Sequence, residues 1–111
     1  VGWDTPEYKE MLKTLDGCVA TIVQATKDAG IYDNTVFIVT ADHGGYNHGH
    51  GGKDMKEMET PFIICGKGIP VNGEFSESMM QYDVASTIAE LLKISSYATQ
   101  VWIGRPLEFV K

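Results

Sequence analysis

The sequence predicts an α/β protein, and three observations support this class. A helical pattern of apolar residues comes first, two short apolar runs of β-strand type follow, and a second helical pattern precedes the C-terminal tail. This order of elements is typical of α/β proteins. Of the 111 residues, 43% are hydrophobic and 22% are charged. A chain of this length and composition is expected to fold and to bury roughly two-thirds of its unfolded surface.

The first helix is predicted to begin after Thr5. Thr5 is a suitable N-cap, Pro6 fits the first helical position, and Glu7 gives the first turn an acidic side chain. We expect the helix to end at Gly30 and to bury one stripe of residues spaced three or four apart. The stripe consists of Tyr8, Leu12, Leu15, Val19, Ile22 and Thr26.

Two strands are predicted, at Thr35 to Ala41 and at Pro61 to Cys65. Their apolar runs are unbroken, which favours buried strands, and parallel ones for the first run in particular. Cys65 and the helical Cys18 are expected to be buried structural thiols. Asp83 is the predicted N-cap of a second helix that runs to Leu92, after a polar, Gly-containing connection, and the tail from residue 101 to 110 is predicted to add a short strand.

Two strands cannot form a stable sheet alone. Another chain, or an N-terminal part of the same protein, is therefore expected to complete the sheet. The chain opens at VGWD without an initiator Met, which favours the second explanation. We accordingly interpret residues 1–111 as a single partial domain, the C-terminal fragment of a larger sheet flanked by helices.

The charge distribution argues against two classes of partner. The net charge is −6, and no run of Lys or Arg occurs anywhere, so bulk charge favours neither nucleic acid nor an acidic membrane surface. No segment approaches the roughly 20 apolar residues of a membrane span. An anionic substrate would therefore need local positive charge, supplied by a metal or a few placed cations.

The segment TADHGGYNHGHGG contains all three histidines. Asp42 and His43 stand where the first strand ends, and ligands of open α/β sheets bind at the carboxyl ends of strands. A carboxylate and an imidazole suit zinc, and the glycines around them allow His48 or His50 to return to the same metal or a neighbouring one. The alternative is a surface turn whose Asp and His side chains are simply solvated.

A resemblance to a known family supports the metal interpretation. The run TVFIVTADHGG and the later HGHGGKDMKEMETPFIICGKGIP resemble the C-terminal half of the alkaline phosphatase superfamily, which includes nucleotide pyrophosphatase/phosphodiesterases, phosphonoacetate hydrolase, cofactor-independent phosphoglycerate mutase and sulfatases. The flanking GWDTPEYKEMLKTLDGCVATIVQATKDAGIYDNT, YDVASTIAELLKI and IGRPLEFV are similar to the helices and tail of that family. The similarity spans nearly the whole chain.

The resemblance implies a site of two divalent transition metals, with zinc favoured and manganese as the alternative. It places Asp42 and His43 on one metal and His50 on the other, with His48 as the less favoured ligand. The nucleophilic Ser or Thr of the family, an early Asp and an Asp-x-x-x-His motif all lie upstream of the matched region. No catalytic residue is therefore assigned in this chain, Thr40 is interpreted as a strand residue, and the isolated chain is expected to be inactive.

The implied activity is hydrolysis of a small phosphate ester by a phosphodiesterase or phosphatase. A sulfatase-like activity is the alternative, and in that branch Lys53 would contact the transferred anion; otherwise Lys53 is a solvated loop residue. Glu57 and Glu59 either orient ligand histidines or belong to a mixed-charge loop. The resemblance leans towards a location outside the cytoplasm. A different class of function, a non-catalytic fragment or binding module, also fits the residues.

Overall fold

The computed structural model describes residues 1–71, 73–94 and 97–111, which mix helices with one small sheet. The described residues form two compact units, Val1–Lys67 and Gly68–Lys111. The predicted α/β class is confirmed. No helix in the described part of the chain combines the length and the apolar character needed to cross a membrane.

The first unit begins with helix α1, Pro6–Asp28. As predicted, the hydroxyl of Thr5 caps the helix by accepting a hydrogen bond from the Tyr8 amide (3.2 Å). The predicted burial of its stripe is wrong, because no residue of α1 is buried and Leu12, Leu15 and Ile22 are exposed. Spacing alone identifies an amphipathic helix, whereas burial depends on a partner element to cover the stripe.

A 3-10 turn, Tyr32–Asn34, leads into strand β1, Val36–Thr40, and strand β2 spans Phe62–Gly66. The two strands pair antiparallel, with Ile38 opposite Ile64, so the predicted parallel arrangement is wrong for this pair. A parallel neighbour requires a crossover connection, usually a helix, whereas the connection between these strands contains only the four-residue helix α2, Met55–Met58.

The predicted burial of the strands and thiols is also wrong. Every residue of β1 and β2 is half-buried or exposed, and Cys18 and Cys65 are both exposed. A two-stranded sheet has two faces and two edges to cover. Among the described residues, the buried hydrophobic side chains are Ala89 and Leu107, and both belong to the second unit. The described residues of the first unit therefore contain no buried hydrophobic side chain that would cover the sheet.

The second unit contains helix α3, Asp83–Leu91, a short helix α4, Tyr97–Gln100, and a 3-10 turn, Glu108–Val110. Asp83 is the first residue of α3 and Tyr82 is its N-cap, one position earlier than predicted. The Asp83 carboxylate instead accepts hydrogen bonds from the amides of Met80 (2.8 Å) and Arg105 (2.9 Å). The predicted polar connection before α3 includes residue 72, which lies outside the described residues.

The tail does not form the predicted strand. Pro106 has no amide hydrogen to give to a ladder, and the amides on either side of it are taken by side chains of α3: Arg105 donates to Asp83 and Leu107 donates to the hydroxyl of Thr87 (3.2 Å). Further on, the hydrogen bond and positive charge of Lys111 lower the pKa of the Glu108 carboxyl.

Candidate functional site

The predicted metal pair follows directly after β1, and a side-chain hydrogen bond fixes this end of the strand. The hydroxyl of Thr40 donates to the carbonyl of Pro61 at 2.8 Å. Thr40 thus joins the last position of β1 to the residue before β2. Asp42 and His43 lie just beyond this point, at the carboxyl end of the strand.

Asp42 and His43 contact each other through both main-chain and side-chain atoms. The His43 amide donates to Asp42 Oδ1 (3.0 Å), and His43 Nε2 lies 3.5 Å from Asp42 Oδ2. The Asp42 side chain is 87% exposed and the His43 side chain 38% exposed. The carboxylate therefore retains most of its capacity to bind a further positively charged group.

The second ring nitrogen of His43 determines which nitrogen is available to a ligand. Nδ1 lies 2.7 Å from the carbonyl oxygen of Gly44. A carbonyl only accepts hydrogen bonds, so Nδ1 carries the hydrogen and the neutral ring presents its lone pair at Nε2. Metal-binding histidines commonly donate the hydrogen of their other nitrogen to such a carbonyl. The orientation of His43 therefore suits metal binding through Nε2, on the side of Asp42.

A tight turn returns His50 to the same place. The amides and carbonyls of Tyr46 and Gly49 bond to each other (3.2 and 3.0 Å), and Asn47 between them has a left-handed backbone with φ of 54°. The ring of His50 then stacks on that of His43, with centroids 4.4 Å apart and planes inclined by 29°. His43 thus contacts Asp42 on the one hand and His50 on the other. We call these three residues the Asp–His cluster.

The other candidate residues lie apart from the Asp–His cluster. The ring of His48 lies against Gly2, where a Cβ atom would be 3.0 Å from His48 Nε2. Lys53 is exposed, and in the part of the chain that the structure describes it forms no hydrogen bond or ion pair with the cluster. The structure therefore gives these two residues no direct contact with the three predicted ligands.

Helix α2 supports the loop from one side. Asp54 caps it by accepting from the Lys56 amide (2.8 Å), and the amides of Gly44 and Gly45 donate to the carbonyls of Glu57 (2.9 Å) and Lys56 (2.8 Å). Glu57 thus reaches the loop through its main chain, while its carboxylate packs against Gly52. The helix was not predicted, although an Asp followed three positions later by Glu is a recognisable N-terminal signal.

Trp3 supports the loop from another direction, and sequence reasoning assigned it no role. Its amide donates to the carbonyl of Asn47 (2.6 Å), and its indole occupies the space next to Gly45 where a side chain would otherwise begin. No local pattern in the sequence signals this contact, because it joins residues far apart in the chain.

The donor types of the Asp–His cluster fit a transition metal, but their arrangement does not make a complete site. Zinc is usually held by three or four protein ligands of the Asp, His or Cys type. Across residues 1–71, 73–94 and 97–111, no group of three or more His, Cys, Asp or Glu side chains is arranged to hold a metal ion. The cluster alone therefore provides part of a ligand set.

A family model described as Sulfatase matches residues 4–94. This range includes both strands and the histidine loop, by which we mean residues 40–52 with their three histidines. The chain belongs to the sulfatase family. This confirms the resemblance to the alkaline phosphatase superfamily, and members of the sulfatase family are metal-dependent.

Individual relatives of this sulfatase-family chain carry two kinds of name. It is 28% identical over 88 residues to the extracellular sulfatase SULF-1 homolog of Drosophila melanogaster, covering 74% of this chain and 8% of that protein. It is 39% identical over 66 residues to GPI ethanolamine phosphate transferase 1 of Chaetomium globosum, and 34% identical over 64 residues to that of Emericella nidulans, covering 57% of this chain and 7% of each of those proteins. No solved structure matches the chain.

Proposed function

We propose that this chain contributes to a metal-dependent enzyme that hydrolyses phosphate esters, as a partial catalytic domain that other residues complete. The observation that carries the proposal is the Asp–His cluster at the end of β1. One exposed carboxylate and two imidazoles are donor types suited to zinc, and manganese is the second candidate. The short distances from His43 to Asp42 and from His43 to His50 support a common role for the three residues.

We assign Asp42 and His43 to one metal and His50 to a second. His43 would bind through Nε2, since its Nδ1 hydrogen is held by the Gly44 carbonyl. When bound, two such metals offset the negative charge on the attacking and leaving oxygens of the ester. The chain has a net charge of −6, so it offers no comparable field of its own. The Ser or Thr nucleophile and the remaining ligands lie outside these residues, and we expect the isolated chain to be inactive.

Two observations favour phosphate over sulfate. The two relatives that share 39% and 34% identity with this chain are named ethanolamine phosphate transferases. In addition, an imidazole beside the carboxylate favours a transition metal over calcium, which prefers oxygen ligands. The same phosphoryl chemistry serves a hydrolase or a transferase, depending on whether water or an alcohol accepts the group.

A sulfuric ester hydrolase is the second candidate. It is supported by the family model and by the Drosophila relative, which is named a sulfatase. In this case Lys53, three residues after His50, would contact the transferred anion. The name of the same relative includes the word extracellular, which supports a location outside the cytoplasm for either activity.

The test compares three esters with the full-length protein, all of which release 4-nitrophenol and differ in the group that is transferred. We expect hydrolysis of 4-nitrophenyl phosphate or bis(4-nitrophenyl) phosphate, inhibition by a chelator, and recovery with zinc or manganese. If 4-nitrophenyl sulfate is hydrolysed faster than either phosphate ester, the activity is instead that of the second candidate, a sulfuric ester hydrolase. No turnover of any of the three esters by metal-loaded protein would support a non-catalytic binding module instead.

A further inference from the structure

We infer that Trp3 is a positioning residue for the Asp–His cluster and that it acts through Gly45. The inference concerns the conformation of the histidine loop; its consequence for metal affinity rests on the proposed function. Trp3 is not itself a metal ligand, because an indole has no lone pair suited to a metal. Its effect must therefore pass through the residues that it touches.

The indole of Trp3 packs directly against the main chain of Gly45. A Cβ atom on residue 45 would overlap three atoms of the indole, namely Cε2, Cζ2 and Nε1. The ring thus lies directly on the main chain of the loop, two residues after His43. Only glycine permits this approach, because any side chain at residue 45 would displace the indole or the loop.

Trp3 is itself held in place by the start of α1. The Thr5 hydroxyl donates to the carbonyl of Gly2 (2.7 Å) while it caps the helix, and the Trp3 ring lies 5.3 Å from that of Tyr8 in a tilted arrangement. The Trp3 amide adds a hydrogen bond to the Asn47 carbonyl in the turn of the loop (2.6 Å). The start of α1 therefore contacts the loop through Trp3, in addition to the contact between Gly2 and His48.

Helix α2 and the residue after it provide a second support for the loop, at Gly44. A Cβ atom on Gly44 would overlap the carbonyl oxygen of Lys56 and lie 2.5 Å from that of Glu59. The Gly44–Gly45 dipeptide is thus held between the main chain at α2 and the indole of Trp3. It directly follows His43, and the turn after it returns His50. If the indole is removed, one of the two supports is lost, and the stacking of the two imidazoles should become looser.

A purely structural role is the competing explanation, since a half-buried Trp contributes to packing wherever it lies. The two explanations differ in what Trp3→Ala changes: a purely structural role lowers thermal stability alone, whereas a positioning role also weakens the ring contact and raises the zinc Kd. A Gly45 methyl group then tests whether the effect passes through the contact with Gly45. If the indole acts by occupying the space next to Gly45, Trp3→Ala opens that space and a methyl group fits there. The effects of the two substitutions would then not add.

The experiment uses the full-length protein with Trp3→Ala, Trp3→Phe, Gly45→Ala and the double variant. Gly49→Ala is the matched control, because it lies in the same loop and a Cβ atom there would meet nothing closer than the Tyr46 carbonyl at 3.9 Å. Two quantities are measured: the nuclear Overhauser effect between the His43 and His50 rings in metal-free, histidine-labelled protein, and the zinc Kd from chelator competition.

We expect Trp3→Ala and Gly45→Ala each to weaken the ring contact and to raise the zinc Kd by about tenfold, the lower end of what supporting residues of metal sites contribute. Trp3→Phe should retain most of the ring contact and most of the zinc affinity, because a phenyl ring still covers Gly45. The double variant should resemble Trp3→Ala alone, and Gly49→Ala should resemble the wild type.

The inference is wrong if Trp3→Ala lowers thermal stability but leaves the ring contact and the zinc Kd unchanged, or if the losses in the double variant add. A wild-type protein that binds no zinc would overturn the proposed function alone. The ring contact in metal-free protein would still decide whether Trp3 positions the loop.

Discussion

The imidazole rings of His43 and His50 are stacked, with their centroids 4.4 Å apart. They are separated along the chain by a tight turn, and the main chain on either side of His43 is fixed by hydrogen bonds to Asp42 and to α2. Two imidazoles and a carboxylate at one strand end are a concentration of metal-binding groups that packing alone does not require. The predictions below separate a functional role for this cluster from a structural one.

Replacing Asp42 with Asn should separate metal affinity from stability. The Asp42 side chain is 87% exposed, and Asn can still accept the His43 amide, so the free energy of unfolding should change by less than about 0.5 kcal/mol. The loss of a charged ligand should nevertheless raise the zinc Kd by at least about tenfold. Chemical denaturation and chelator competition measure the two quantities.

Asp16→Asn in α1 is the control for this prediction, because it makes the same chemical change on the exposed surface of the helix. It should alter neither quantity. An Asp42→Asn protein that loses stability but binds zinc as the wild type does would assign Asp42 a structural role.

Gly44 should tolerate no side chain. A Cβ atom there would overlap the carbonyl of Lys56, and forcing an additional carbon into such a space costs about 1–3 kcal/mol. Gly17→Ala is the matched control: it lies on the face of α1 opposite the apolar stripe, nothing is within 4 Å of its Cβ position, and alanine should stabilise the helix by about 0.5–1 kcal/mol. Thermal unfolding of both variants gives the comparison, and equal shifts for the two would refute the close approach at Gly44.

The carboxylate of Asp83 should stabilise the tail. It is buried, with 4% of its surface exposed, and it accepts from the amides of Met80 and Arg105. Asp83→Asn places an NH2 group against one of these donors, and the loss of a charged acceptor should lower the free energy of unfolding by about 2 kcal/mol. Lys93→Ala is the control, because it removes only the exposed ion pair with Glu90. It should change the free energy of unfolding by less than about 0.5 kcal/mol. Similar losses in both variants would contradict the role of Asp83.

Local signals in the sequence predicted α1, β1 and β2 well, although the predicted tail strand was wrong and α2 was not predicted. Thr5 and Pro6 identified the start of α1, and the β-branched runs located β1 and β2 to within one residue, because N-capping and strand propensity depend on neighbouring positions. The same strand prediction placed Asp42 and His43 at a strand end. These features require no knowledge of the rest of the fold.

Features that depend on distant residues were not predictable in this way. The direction in which β1 and β2 pair depends on the connection between them. The burial of Leu12 or Cys65 depends on another element that covers it. The return of His50 depends on a turn with a left-handed residue at Asn47. The contact of Trp3 with Gly45 joins the two ends of a long stretch of chain. Each of these is a tertiary property that a local pattern does not encode.

The metal content of the full-length protein with both His43 and His50 replaced by Ala tests the central claim most directly. Inductively coupled plasma mass spectrometry of protein purified in parallel should give close to two zinc or manganese ions per wild-type molecule. The double variant should contain markedly less metal and turn over aryl phosphates more slowly, with an unchanged circular dichroism spectrum. An unchanged metal stoichiometry in the double variant would contradict the assignment of these histidines as ligands.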